Sequence, residues 1–114
     1  MFNKHILISL FHVLFVGPLL LYVGMSKGDL SKNVLTAILV VGVSVGLYHL
    51  SKVVSLGLTR GWIYALHAFI FAPLIVYVGA LGKNSFIAAF SVLKMLAFAT
   101  IGYHGLYLFQ QLKK

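Results

Sequence analysis

The chain contains apolar runs that are long enough to cross a lipid bilayer. The first extends from Ile6 to Gly24 and is interrupted only by Ser9, His12 and Pro18. A helix rises about 1.5 Å per residue, so a run of this length spans most of the roughly 30 Å hydrocarbon core of a bilayer. Comparable runs follow, and the sequence predicts membrane-spanning helices over residues 6–24, 34–54, 62–79 and 86–109.

The composition indicates that the solvent of this chain is lipid. Hydrophobic residues make up 61% of the sequence and the mean hydropathy is +1.05, whereas the apolar share of a soluble domain is usually below half. Lipid cannot satisfy exposed backbone groups, and no strand-length alternation of apolar and polar residues indicates a β-barrel. The predicted fold class is therefore all-α and integral to a membrane, as a four-helix transmembrane bundle.

An internal repeat divides the sequence into two copies. Each copy reads histidine, five residues, proline, three residues and Tyr-Val-Gly, and each closes with a Tyr-His pair. The copies are offset by 55 positions and contain His12, Pro18, Tyr22 and His49, then His67, Pro73, Tyr77 and His104. We predict repeat one over residues 1–54, a connection over 55–61 and repeat two over 62–114. Each repeat holds two spans, so the copies form two parallel-repeat helical hairpins.

The first span could instead be a cleaved signal peptide, because Lys4 precedes an apolar stretch. The stretch lacks an A-x-A-like cleavage site. Its histidine, proline and tyrosine also recur inside the chain. These two features favour a retained helix.

Charge and cysteine content exclude several classes of function. The formal net charge of +8 would suggest nucleic acid in a soluble chain. The basic residues lie mainly in connections and tails, where anionic lipid headgroups account for them, so no nucleic-acid partner is predicted. The chain has no cysteine, which excludes disulfides and thiolate metal sites.

The distribution of basic residues predicts the orientation of the chain. Those on the side of the termini are Lys4, Lys52, Arg60, Lys113 and Lys114, against Lys27, Lys32 and Lys83 on the other side. Cytoplasmic loops carry an excess of lysine and arginine. This asymmetry favours both termini in the cytoplasm.

Four histidines are predicted at one depth. His12 and His67 each lie about six residues into their spans, while His49 and His104 each lie about five residues before the ends of theirs. At about 1.5 Å per residue, all four imidazoles fall within roughly 7 to 9 Å of the same membrane boundary. The sequence therefore predicts a layer of four histidines in one leaflet.

Small residues predict which way these histidines face. Small side chains mark the places where membrane helices approach one another. Gly42 and Gly46 share a helix face with His49. Ala97 and Thr100 share one with His104. Gly42 and Gly46 could also pair two copies of the chain, so a homo-oligomer is possible.

The predicted layer of histidines could bind either of two groups. In a bundle with neighbours about 9 to 10 Å apart, His12 and His67 lie on a diagonal about 13 Å across and could bind a haem from both faces. All four imidazoles could instead converge on one transition-metal ion, although its charge would be uncompensated by any acidic residue in the spans. In either case Tyr48 and Tyr103 would hydrogen-bond to the ligands.

Prolines and one lysine are further candidates inside the spans. Pro18 and Pro73 remove backbone donors and kink their helices, either to make room or to free the carbonyls of Leu14 and Phe69 for a polar cavity. Lys94 lies inside span four, where a charged amine is costly. It is either a functional charge or a side chain that extends to the headgroups.

The first copy resembles small uncharacterised membrane proteins encoded by large DNA viruses of algae and protists. The resemblance rests on His12, then Gly-Pro-Leu-Leu-Leu-Tyr-Val-Gly from Gly17, then Leu-Tyr-His ending at His49. It covers the second copy more loosely, where Ala72 stands in place of the glycine before proline. The resemblance implies a host or virion membrane and no established activity.

The leading hypothesis for function is ligation of haem or a transition metal by the four histidines. One alternative is a proton or cation channel or transporter in which the imidazoles titrate near neutral pH. Another is a structural or assembly role in a viral or host membrane. An enzyme is the least supported class, because the sequence has no candidate nucleophile, carboxylate pair or cofactor loop.

Overall fold

The computed structural model describes residues 3–114, which contain four long helices and no strand. The helices are α1 (Lys4–Ser26), α2 (Lys32–Arg60), α3 (Trp62–Asn84) and α4 (Ile87–Leu112). Each is long enough and apolar enough to cross a membrane, judged by length and composition. The all-helical class and the four apolar helices predicted from the sequence are confirmed.

Polar side chains fix the beginnings of the helices. Asn3 accepts a hydrogen bond from the N–H of Ile6 at 2.9 Å, and Ser31 accepts one from the N–H of Val34 at 3.3 Å. Such caps satisfy N–H groups that have no partner within the first turn of a helix. In the connection before α4, the hydroxyl of Tyr77 accepts the N–H of Phe86 at 2.9 Å. This repeated tyrosine thus holds the chain just before α4 begins.

Helix α2 is interrupted at Gly57, inside the connection that the sequence predicts over 55–61. Helical residues follow the interruption as far as Arg60, whereas the hydrophobic pattern predicts an end of the span near residue 54. Gly57 has φ 79° and ψ 168°, a conformation that only glycine adopts readily. The N–H of Gly61 donates to the carbonyl of Gly57 at 2.8 Å. Gly57 therefore bends the helical end, and most of the predicted connection over 55–61 is helical.

Both repeated prolines follow a widened helical turn. A five-residue π-helical segment occupies His12–Val16 in α1 and another occupies His67–Phe71 in α3. The N–H of Gly17 donates to the carbonyl of His12, five residues back. A proline in a regular α-helix clashes with the carbonyl four residues earlier and cannot donate to it. The wider turn relieves that clash just before each proline.

The described residues form two compact units. The first unit comprises residues 3–27 and 87–114, and so contains α1 and α4; the second comprises residues 28–86 and contains α2 and α3. Each unit therefore combines one helix from each predicted repeat. The division of the sequence into repeats stays a prediction. The buried apolar cores are Leu20, Val23, Ala89, Phe90, Leu93 and Ala97 in the first unit, and Ile38, Val53, Ala72 and Val78 in the second.

Glycines allow the two helices of each unit to approach closely. In the second unit, a Cβ atom added to Gly79 would lie 2.7 Å from the backbone nitrogen of Leu39. In the first unit, one added to Gly24 would lie 2.7 Å from Cγ of Lys94 and 2.9 Å from the carbonyl oxygen of Phe90. Real side chains do not approach so closely, so both positions require glycine at this helix separation.

The glycines predicted to mediate packing lie between α2 and α3. A Cβ atom on Gly42 would lie 2.9 Å from a methyl carbon of Val76, and one on Gly46 would lie 3.2 Å from Cβ of Ala72. This face of α2 is therefore in contact with α3 inside the second unit. Whether copies of the chain also associate stays a prediction.

Candidate histidine site

Each unit contains one pair of stacked imidazole rings. In the first unit the ring centres of His12 and His104 are 4.3 Å apart with an interplanar angle of 23°. In the second unit the ring centres of His49 and His67 are 4.5 Å apart at 9°. The structure thus brings together two of the predicted ligands in each unit. We call these the first and second histidine pairs.

Three of the four rings are hydrogen-bonded to their own helix in the same way. The Nδ1 atoms of His12, His49 and His67 each lie 2.7 Å from the carbonyl oxygen four residues earlier. A carbonyl can only accept, so Nδ1 carries the hydrogen in each of these bonds. In a neutral imidazole the lone pair is then on Nε2. The backbone hydrogen bonds therefore leave Nε2 as the ring nitrogen that could bind a ligand in these three histidines.

His104 is held differently, by a residue that the sequence does not single out. Its Nδ1 lies 3.0 Å from Oγ of Ser9, on the neighbouring helix α1. Ser9 is only 4% exposed. In the sequence it is merely an interruption of an apolar run. The signal that could have identified it is its place three residues before His12, on the same face of α1.

The two tyrosines predicted to support the ligands lie beside them but face outward. Tyr48 and Tyr103 each contact the ring of the following histidine edge-on, with centres 5.1 Å apart. They are 51% and 69% exposed. Tyr64 of α3 lies 5.8 Å from the ring of His49 and is a further aromatic neighbour of the second pair. Hydrogen bonding by Tyr48 and Tyr103 stays a prediction.

The prolines and the π-helical turns remove the regular α-helical donors of backbone carbonyls next to the histidines. The carbonyl of Leu14 would accept from Pro18 in a regular α-helix, and proline has no N–H. The N–H of Gly17 donates to His12, so the carbonyl of Val13 also loses the donor that a regular α-helix would give it. In α3, the N–H of the residue before proline donates to His67, which has the same effect. Each histidine on α1 and α3 is thus followed by carbonyls whose regular α-helical donors are absent.

An open groove of about 250 Å³ runs along the second unit and is lined in part by Phe69 and Pro73. Its lining includes Leu50 and Ala68, the residues that follow His49 and His67 in sequence. Its walls are apolar and include Gly42. The groove gives the second unit open space close to its histidine pair.

The remaining candidates lie on α4 in the first unit. Lys94 is half-buried and packs its Cγ against Gly24. Its repeat counterpart Leu39 lies against a glycine of α3 in the second unit, so lysine occupies a position of helix contact. Ala97 is fully buried and Thr100 is half-buried, which places both on or near the packing face. A functional role for the Lys94 amine stays a prediction.

The rings of each pair lie somewhat closer together than two imidazoles that share one metal ion. With metal–nitrogen bonds of about 2.0 to 2.1 Å, two imidazoles on one ion have ring centres roughly 4.5 Å apart at a bond angle of 90°, roughly 5 Å apart at a tetrahedral angle and roughly 6.4 Å apart when the ion is linear. The observed centres are 4.3 and 4.5 Å apart. A metal lies in the plane of each ligating ring, so the nearly parallel rings must tilt apart on binding. All four rings are held by hydrogen bonds at Nδ1, so each ring must pivot about that bond to tilt.

Larger ligand sets are not assembled within a unit. Across residues 3–114, no three or more histidine, cysteine or acidic side chains are grouped to hold a metal ion. Two axial imidazoles reach a haem iron from opposite faces, whereas the rings within each pair stack face to face. Neither pair alone fits such a haem. The predicted haem between His12 and His67, and the predicted four-histidine ion, join residues of different units and stay predictions.

Comparison with known proteins adds no assignment for these residues. The resemblance to small viral membrane proteins stays a prediction, and function must be inferred from the geometry of the two histidine pairs. No known protein family, no curated protein and no solved structure matches this chain.

Proposed function

We propose that the chain is an integral membrane protein that crosses the bilayer four times, with both termini in the cytoplasm and its repeats in parallel. The lengths and apolar character of α1 to α4 support insertion. Paired contacts support the parallel repeats. His12 contacts His104, and their counterparts at the 55-position offset, His67 and His49, contact each other in the same way.

Cysteine labelling tests this orientation, because the chain contains no cysteine of its own. Single Lys4→Cys and Lys83→Cys variants place thiols on opposite predicted sides. In intact cells, a membrane-impermeant maleimide should label the variant at position 83 and should label the variant at position 4 only after permeabilisation. The reverse pattern would invert the orientation, and equal labelling of both in intact cells would argue against insertion.

For the histidine pairs, we propose that each binds one transition-metal ion through its two imidazoles. The observation that carries this proposal is the hydrogen bonding of Nδ1 in His12, His49 and His67 to backbone carbonyls at 2.7 Å. Metal-ligating histidines characteristically donate their other ring N–H to a carbonyl or carboxylate, which fixes the tautomer and orients the ring. These three rings have that arrangement.

The charge of the surroundings favours an ion of low charge. Imidazoles are neutral ligands, and the single acidic residue, Asp29, lies in the connection between α1 and α2. Desolvation of an uncompensated charge is costly and rises steeply with that charge. Imidazole suits copper, zinc, iron and nickel, and of these copper is the one with an ordinary monovalent state. We therefore propose cuprous copper as the preferred ion.

Elemental analysis of the detergent-purified chain tests the proposal. The native protein and a variant with glutamine at positions 12, 49, 67 and 104 would be expressed with copper, iron and zinc available. We expect up to two ions per native chain, with copper preferred, and none in the variant. A native protein that never contains metal would contradict the proposal. Iron with a porphyrin spectrum would replace it with the haem arrangement.

A further inference from the structure

The two histidine pairs differ in what holds their rings. Both rings of the second pair direct Nδ1 to a carbonyl of their own helix. In the first pair, His12 does so, whereas Nδ1 of His104 is 3.0 Å from the hydroxyl of Ser9. His104 and its repeat counterpart His49 are therefore supported by different chemical groups.

A hydroxyl does not fix a tautomer as a carbonyl does. A carbonyl only accepts, but a serine hydroxyl can accept from Nδ1–H or donate to Nδ1. If it donates, the lone pair of neutral His104 is taken up and Nε2 carries the hydrogen. If it accepts, Nδ1 carries the hydrogen and Nε2 can ligate. Metal binding at Nε2 of His104 thus requires Ser9 to act as the acceptor.

The position of Ser9 suits this role. It lies one helical turn before His12 on α1, and its hydroxyl reaches across to α4. At 4% exposure it is shielded from solvent that could compete for His104. The corresponding residue of the second unit is Tyr64, whose ring lies 5.8 Å from that of His49. The serine contact is thus particular to the first pair.

We infer that Ser9 is a positioning residue for a metal site at the first pair, where it accepts Nδ1–H of His104 and presents Nε2 to the ion. This inference rests on the proposed metal-binding function. The metal sites at the first and second histidine pairs are then unequal. The second pair has both tautomers fixed by backbone, whereas affinity at the first pair depends on the Ser9 side chain.

The test is a titration of the full chain with cuprous copper against a chromophoric chelator. A background in which His49 and His67 are replaced by glutamine leaves only the first site. In this background Ser9→Ala should weaken copper binding by about 10- to 100-fold, the usual effect of losing such a supporting hydrogen bond. Ser9→Thr retains the hydroxyl and should restore binding. The positioning role predicts that Ser9→Ala weakens copper binding while its thermal stability stays unchanged. A purely structural role predicts that affinity falls only together with thermal stability.

Two outcomes would overturn the role of Ser9. A third, distinguishable outcome would reject the proposed metal binding itself. Equal copper affinity of Ser9→Ala and its parent contradicts the role of Ser9 and leaves the metal site standing. The nitrogen NMR signals of His104 in the copper-loaded native chain give a second readout that needs no substitution. A hydrogen on Nδ1 is expected, and one on Nε2 overturns the inference. Failure of the native chain to bind copper at all would instead reject the proposed function.

Discussion

Replacement of Gly79 by leucine is expected to lower the free energy of unfolding by about 3 kcal/mol, the upper part of the usual range for overpacking. The Cβ atom alone would lie 2.7 Å from the nitrogen of Leu39 and 2.9 Å from its Cα. These are backbone atoms of α2, so no side-chain rotation relieves the clash and the helices must separate. The fluorescence of the single tryptophan, Trp62, in the same unit can follow unfolding in a denaturing detergent.

The matched control for this experiment is Gly102→Leu. Gly102 is also a helical glycine, but a Cβ atom there would meet nothing within 4 Å. Leucine is the better helix former by about 0.5 to 1 kcal/mol, so this variant should be as stable as the native chain or slightly more stable. Equal stability of the two leucine variants would show that α2 and α3 are not packed at the observed separation.

Loss of one histidine pair is expected to remove one metal ion and leave the other. Substitution of His49 alone by glutamine deletes one of two ligands. Its effect on affinity at that site should therefore exceed the roughly 100-fold upper value for loss of a supporting hydrogen bond. The double variant at positions 49 and 67 should bind half the native amount of metal. The number of metal ions per chain, obtained from metal content and protein concentration, tests this prediction.

His5→Gln is the control for these substitutions. His5 is the histidine outside the pairs; it is exposed, and its ring lies 6.3 Å from that of Tyr107. The same chemical change there should leave metal content and affinity at native values. If His5→Gln and His49→Gln reduced metal binding equally, the binding would be surface adsorption and the paired geometry would be irrelevant to it.

The number and type of helices could be predicted from the sequence because hydrophobic length is a local property. Residues 6–24 and Lys4–Ser26 describe nearly the same helix. The end of α2 was less predictable, since Gly57 indicates a break by its residue type but only φ of 79° reveals that the helix bends and resumes. The π-helical turns were also not predictable, because Pro18 signals a disturbed helix without specifying how the preceding turn adapts.

The histidines could be selected from the sequence, but their partners could not. The repeat and the common depth identify His12 and His104 as members of one set, and the structure places their rings in contact. Which helices pack most closely depends on complementary shapes, such as Gly79 against Leu39, and neither residue carries that information alone. Ser9 escapes prediction for a related reason. A single serine in an apolar run is ordinary until a histidine 95 residues away is found beside it.

X-ray absorption at the metal edge of the copper-loaded native chain tests the central claim most directly. We predict two imidazole ligands per ion, seen as nitrogen scatterers at about 2 Å with the outer-shell pattern of the ring. That pattern should be the same for the chain with both pairs intact and for the chain with only the second pair. Four imidazoles per ion would instead support a single site shared by both units. An ion without imidazole scattering would contradict the assignment of the histidine pairs as metal ligands.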